Sequence, residues 1–251
     1  MFHVVIPARY GASRLPGKPL LSVAGRPMIQ WVWESARRSG ADTVIVATDD
    51  ERVGAAAADF GADWIMTSAQ HASGTDRVAE VAQARGFAAD DVVVNVQGDE
   101  PLMPSALIAD VAAALQAHPG VDIATAVAPI GDLAEFLDPS CVKALRRLDG
   151  RALYFSRAPV PWPRDEAADG QPTAFRGAWR HIGIYAYRTR SLLEFSRRAP
   201  TALELTEKLE QLRALEHGMV VHLIALAQAP PAGVDTPEDL ARVCAIARAR
   251  A

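Results

Sequence analysis

Short runs of branched apolar residues alternate with longer amphipathic stretches from Val4 to Ile130. Val4-Val5-Ile6 is apolar at consecutive positions, the pattern of a strand covered on both faces in a parallel sheet. Pro27 to Gly40 carries an apolar stripe at Met28, Ile29, Val32 and Ala36 and ends in Arg37-Arg38 and a glycine, which predicts a helix. TVIVATDD from Thr43 predicts a second buried strand, Glu51 to Gly61 a helix, DWIMT from Asp63 a short apolar segment, and Asp76 to Arg85 another helix. DVVVNVQGDEP from Asp91 is the most strand-like stretch of the chain. A helix over Ser105 to His118 and a strand from Val121 follow it. Strands and helices alternating at this spacing predict an α/β fold, a three-layer α/β/α sandwich with a mostly parallel sheet.

From about Cys141 the rhythm changes. Asp149-Gly150 between two alternating runs predicts a hairpin, and WRHIGIYAYR from Trp179 an aromatic-rich strand. Leu203 to His217 predicts one amphipathic helix, VVHLIAL from Val220 a strand, and Thr236 to Arg250 a terminal helix. The whole of 1–251 reads as a single domain in which roughly 140–220 form a smaller lobe.

Composition narrows the class. With 251 residues, half of them hydrophobic, the chain has ample material for one sizeable core. A formal charge of −4 argues against a general nucleic-acid binder, whose footprint is a net basic face. No apolar run approaches a membrane span and the N-terminus enters a strand, so a cytoplasmic protein without membrane insertion is expected. Cys141 and Cys244 stand far apart without neighbouring His, which predicts core residues rather than a disulfide or a zinc site.

The candidate chemistry sits in the loops. After Ile6 the chain carries Arg9, Arg14 and Lys18 in a glycine- and proline-punctuated segment, suited to an anion at a strand's carboxyl end. It is neither of the two familiar phosphate loops. Gly17-Lys18 is followed by Pro19 where a P-loop needs Ser or Thr, Ala12 occupies that loop's first glycine position, and no G-x-G-x-x-G is present. Gln97-Gly98-Asp99 leaves the sheet on the same edge, where Asp99 can hold Mg²⁺ or serve as a turn residue. Near the far end, GVDTPEDL fits an ordinary helix start, with Asp235 or Thr236 as the cap and Pro237 at the first helical position. If Asp235 instead converges with Asp99, two carboxylates can organise Mg²⁺ against a triphosphate.

IPARYGASRLPGKPL, HASGTDR, VVVNVQGDEP, ALYFSRAPVPW, RHIGIYAYR, LEQLR and GVDTPEDL, in this order, closely resemble the 3-deoxy-manno-octulosonate cytidylyltransferases, or CMP-Kdo synthetases, over almost the whole chain. The resemblance implies a nucleotide-diphospho-sugar transferase-like fold and cytidylyl transfer from CTP to the acid sugar Kdo for lipopolysaccharide synthesis. It also implies Mg²⁺ as cofactor and a homodimer. It places Arg9 and Lys18 on the triphosphate with Ala8 and Ser13 nearby, makes Asp99 and Asp235 the metal ligands, and gives Ser73 and Gly74 to the nucleotide. Arg77 then faces the sugar acid, and Arg14, Gln97, Arg157, His181, Tyr185, Glu210 and Gln211 surround Kdo. Each has an ordinary alternative: Arg157 and His181 as packing polar residues, Tyr185 as a core aromatic, Glu210-Gln211 as a solvated helix face. Two other functions fit the same loops: a cytidylyltransferase for 8-amino-Kdo or another acid sugar, and a non-catalytic nucleotide-sugar-binding protein. A metal-dependent glycosyltransferase would normally offer Asp-x-Asp where this chain has Gly98-Asp99-Glu100.

Overall fold

The computed structural model describes residues 1–11, 15–168 and 170–250. In chain order the first half holds strand β1 (Phe2–Ala8), helix α1 (Met28–Arg37), β2 (Thr43–Thr48), α2 (Glu51–Asp59), β3 (Asp63–Met66), α3 (Gly74–Ala84), β4 (Val92–Asn95) and α4 (Ser105–Ala117). The second half holds β5 (Ile123–Pro129), α5 (Leu133–Leu137), β6 (Lys143–Arg146), β7 (Ala152–Ser156), β8 (Ala178–Arg188), α6 (Thr189–Arg197), α7 (Ala202–Glu207), α8 (Gln211–Glu216), β9 (Val221–Ala225) and α9 (Pro237–Arg250). These elements pack as two compact units. One comprises Met1–Ala113, Ile184–Ser196 and Pro230–Ala251, the other Ala114–Gly183 and Arg197–Ala229.

In the first unit, β4, β1, β2 and β3 lie side by side in parallel, with helices on both sides of the sheet. The second half of β8 pairs antiparallel with β4, Tyr185 opposite Asn95. His3 to Ala8 are all buried, so the unbroken apolar run of β1 reflects cover on both faces. Each of Val4, Val5 and Ile6 is fully buried, worth roughly 1.5–3 kcal/mol apiece relative to exposure. Parallel pairing brings the carboxyl ends of β1, β2, β3 and β4 to one edge, where Arg9, Asp49, Thr67 and Gln97 to Asp99 begin the loops. Helix α9 is anchored by Val243 and Ala247, which join Val23, Met28, Leu102 and Val234 in one cluster; Cys244 packs against that cluster only partly buried.

In the second unit β5 and β9 are parallel, while β6 and β7 form the hairpin expected at Asp149-Gly150. The first half of β8 runs antiparallel to β6. Lys143 is fully buried, its ammonium donating to the carbonyls of Asp138 at 2.8 Å and Cys141 at 2.6 Å.

Three expectations need correction. The predicted helix over Leu203 to His217 is two helices, α7 and α8, because Lys208 takes a left-handed conformation with φ 54°. Helix α3 begins at Gly74 rather than Asp76, since Ser73 caps it: Asp76 N donates to Ser73 Oγ, and Ser73 N to the Asp76 carboxylate. Helix α6 was not expected, its apolar Leu192 and Phe195 being set among arginines and serines.

Candidate active site

A cavity of about 200 Å³ opens at the carboxyl edge of the parallel strands, lined by Pro7, Ala8, Arg9, Lys18, Pro19, Ala72, Ser73, Gly74, Arg77, Gln97, Gly98 and Asp99. The loop after β1 folds back on itself through Gly17 N donating to Tyr10 O at 2.9 Å, which delivers Lys18 to the cavity wall. Gly98 is required where β4's loop passes β1. A Cβ there would sit 2.8 Å from Pro7 O, so any side chain would force the loop away from β1.

The two carboxylates converge. Lys18 Nζ donates to Asp99 Oδ2 at 2.7 Å and to Asp235 Oδ1 at 3.0 Å. Backbone contacts hold Asp235 there: Val234 N donates to Asp99 O at 2.9 Å, and a Cβ on Gly233 would lie 2.8 Å from that same oxygen. Burial draws the Lys18 pKa down, but the charge and hydrogen bonds of Asp99 and then Asp235 outweigh it, and the net shift is upward. The helix cap that competed for Asp235 belongs to its neighbours. Thr236 Oγ1 accepts from Asp239 N at 3.2 Å, and the Asp239 carboxylate accepts from the backbone of Asp235 and Thr236. Asp235 therefore keeps its carboxylate for Lys18. Two hard oxygen donors already closed around one cation suit Mg²⁺. Among the described residues no group of three or more His, Cys, Asp or Glu could hold a metal.

The arginines behave differently from each other. Arg9 is partly exposed, its Nε 4.0 Å from Asp49 Oδ2. Arg77, expected to face a sugar acid, lines the cavity and is fully buried: Nη2 donates to the same Asp49 oxygen at 2.8 Å and Nη1 to Thr67 Oγ1. Its buried Nε has no partner among the described residues. Burial lowers the Arg77 pKa, with Asp49 opposing the shift. Sequence reasoning missed Asp49 and Thr67, although TDD at the end of β2 occupies the strand-end position that marked Asp99. It also missed Asn95, which is fully buried, accepts from Gln97 Nε2 at 3.3 Å and leaves its own amide N–H unpaired among the described residues.

Tyr185 belongs to the first unit, stacked with Tyr187 at 6.0 Å. Arg157, His181, Glu210 and Gln211 belong to the second. Arg157 braces the loops around it, Nε donating to Glu207 O at 2.7 Å and Nη1 to Pro139 O at 2.9 Å. His181 Nε2 lies 3.0 Å from Thr125 Oγ1 with Phe155 edge-on, and burial pushes its pKa down to about 4, leaving a neutral ring at pH 7. Gln211 is buried at the start of α8, and Glu210 just before it lies 3.7 Å from Arg213. Neither residue is the solvated face of one long helix. Ser13 and Arg14 lie outside the described residues.

The chain matches the family model for cytidylyltransferases over residues 3–222. It is 54% identical over 244 residues to the 3-deoxy-manno-octulosonate cytidylyltransferase of Pseudomonas fluorescens, covering 96% of each chain. To the protein of the same name from Aliivibrio fischeri it is 49% identical over 252 residues, covering 98% of each. A solved structure of CMP:2-keto-3-deoxy-manno-octonic acid synthetase complexed with CTP superposes with a TM-score of 0.90 at 41% identity, covering 100% of this chain and 99% of that one. By the family model, the relatives and the solved structure alike, the chain belongs to the cytidylyltransferase family and groups there with the 3-deoxy-manno-octulosonate cytidylyltransferases.

Proposed function

We propose that the protein transfers CMP from CTP to 3-deoxy-D-manno-octulosonate (Kdo), releasing diphosphate, in the cytoplasm, as a Mg²⁺-dependent homodimer that feeds lipopolysaccharide synthesis. The observation that carries this reading is the meeting of Lys18, Asp99 and Asp235 at the wall of the strand-end cavity.

Arg9 and Lys18 neutralise the triphosphate, and the close backbone at Ala8 and Gly98 leaves room for the chain of phosphates. Ser73 and Gly74, at the start of the 11-residue helix α3, offer the nucleotide a helix N-terminus with its positive end toward the cavity. Asp99 and Asp235 are the residues that would hold Mg²⁺, and Mg²⁺ bound there would acidify the sugar's anomeric hydroxyl and offset charge on the α-phosphate. Gln97, supported by Asn95, and Arg77, both lining the cavity, recognise the sugar acid. Arg157, His181, Tyr185, Glu210 and Gln211 recognise Kdo as well. His181 does so as a neutral hydrogen-bonding ring.

The testing assay measures diphosphate release from CTP with and without Kdo, with the nucleotide product identified by mass. Release is expected only when Kdo is present, with CMP-Kdo as the product. CTP breakdown without Kdo, or tight CTP binding with no turnover in its presence, would remove this reading.

A further inference from the structure

The space between Asp99 and Asp235 is already taken by a cation that belongs to the protein. Lys18 Nζ contacts both carboxylates, and its side chain is only 12% exposed. We infer that Lys18 is the resident counter-ion of the Asp99–Asp235 pair and must pass onto a triphosphate before a divalent cation can replace it. This rests on the Mg²⁺ reading above.

Three observations lead there. First, both cations need the same oxygens. The ammonium uses Asp99 Oδ2 and Asp235 Oδ1, whereas Mg²⁺ would draw carboxylate oxygens in to about 2.1 Å and repel an ammonium left beside it. Second, the carboxylates do not depend on Lys18 for their proximity. The Val234 to Asp99 backbone bond and the side-chain-free approach at Gly233 hold the two segments together. Removal of the ammonium therefore leaves a preformed dianionic site. Third, Lys18 lines the same cavity as Arg9 and Ser73, and its flexible four-carbon stem lets the ammonium turn to a phosphate oxygen without moving the backbone.

Nucleotide and metal are then coupled. A triphosphate supplies Lys18 with new acceptors and vacates the carboxylates, so each ligand tightens the other, reciprocally as linkage requires. The nucleotide-free protein collects divalent cations poorly, and Lys18 keeps the acidic pair neutralised until substrate arrives.

Mn²⁺ provides the probe, titrated into nucleotide-free protein and followed by the paramagnetic resonance of the free ion. Lys18→Met and Lys18→Gln should bind Mn²⁺ at least tenfold more tightly than the wild type. The melting temperature of each variant should rise with Mn²⁺ while that of the wild type barely moves. Equal binding, weaker binding by the variants, or no binding by any of them would overturn the exchange. Adding Asp235→Asn to Lys18→Met should abolish the gained binding. A gained site that survives this change would instead remove the acidic pair as the metal site, a different failure from that of the exchange.

Discussion

Asp235 precedes a helix and could have served simply as its cap, but Thr236 and Asp239 close that helix between them. Asp235→Asn retains size and acceptor oxygen yet removes a charge facing Lys18 and any metal. Turnover should fall by a hundredfold or more, at a cost of about 3 kcal/mol in the transition state, with little change in melting temperature. Steady-state kinetics beside a thermal melt decide it, and near-normal turnover would return Asp235 to a structural role. His181 yields a second residue-level expectation. Its pKa is depressed to about 4 against an ordinary 6.5 in the unfolded chain, so between those values the unfolded state binds the extra proton. Stability contributed by the neutral ring is complete above pH 6.5 and is lost as pH falls toward 4, by at most about 3 kcal/mol. His181→Gln, which retains a polar partner for Thr125, should flatten the melting-temperature profile between pH 4.5 and 6.5. An unchanged slope would show that other groups set it.

Helix α9 separates stability from chemistry at the level of an element. Thr236→Ala removes the acceptor for Asp239 N, worth about 1 kcal/mol and some 2–4 °C in melting temperature, while leaving Lys18 and the carboxylates in place. Turnover at 25 °C should stay within about twofold of wild type, opposite to Asp235→Asn, and a collapse of activity would mean that the cap also sets the Asp235 position. Elements were legible where local pattern and tertiary context agreed. The buried run of β1, the hairpin at Asp149-Gly150 and the anchor-bearing α9 were all visible as periodicity and turn chemistry. They were hidden where a distant partner decided: Glu207 gives its carboxylate to Ser156 Oγ at 2.6 Å and Arg157 N at 2.8 Å, and the chain turns at Lys208 instead of continuing a helix. The site divides in the same way. Strand-end loops with Arg9, Lys18 and Asp99 could be read from the order of elements. The burial of Arg77 could not, because it depends on β2 lying beside β3 so that Asp49 and Thr67 meet one guanidinium.

For the whole molecule, the exposed large apolar side chains give an expectation for where the proposed second copy binds. In the second unit Leu153 is 59% exposed, Leu205 54% and Leu203 38%, the first on β7 and the others on α7; Trp162 and Leu148 are exposed in the same unit. The first unit exposes only Met1 and Met66 among its described large apolar residues. Uncovered leucines of this kind on a chain that is half hydrophobic are more economically explained by burial against a partner than by solvation. The proposed homodimer is therefore expected to form through the second unit, with α7 in the interface. Because neither Leu203 nor Leu205 is buried in the protomer, Leu203→Glu with Leu205→Glu should leave each protomer folded while placing four like charges across a two-fold interface. Sedimentation velocity at micromolar concentration should show the wild type as a dimer and the double variant as a monomer of unchanged circular dichroism. A double variant that sediments as a dimer would move the interface away from α7, and a wild type that sediments as a monomer would remove the dimer altogether.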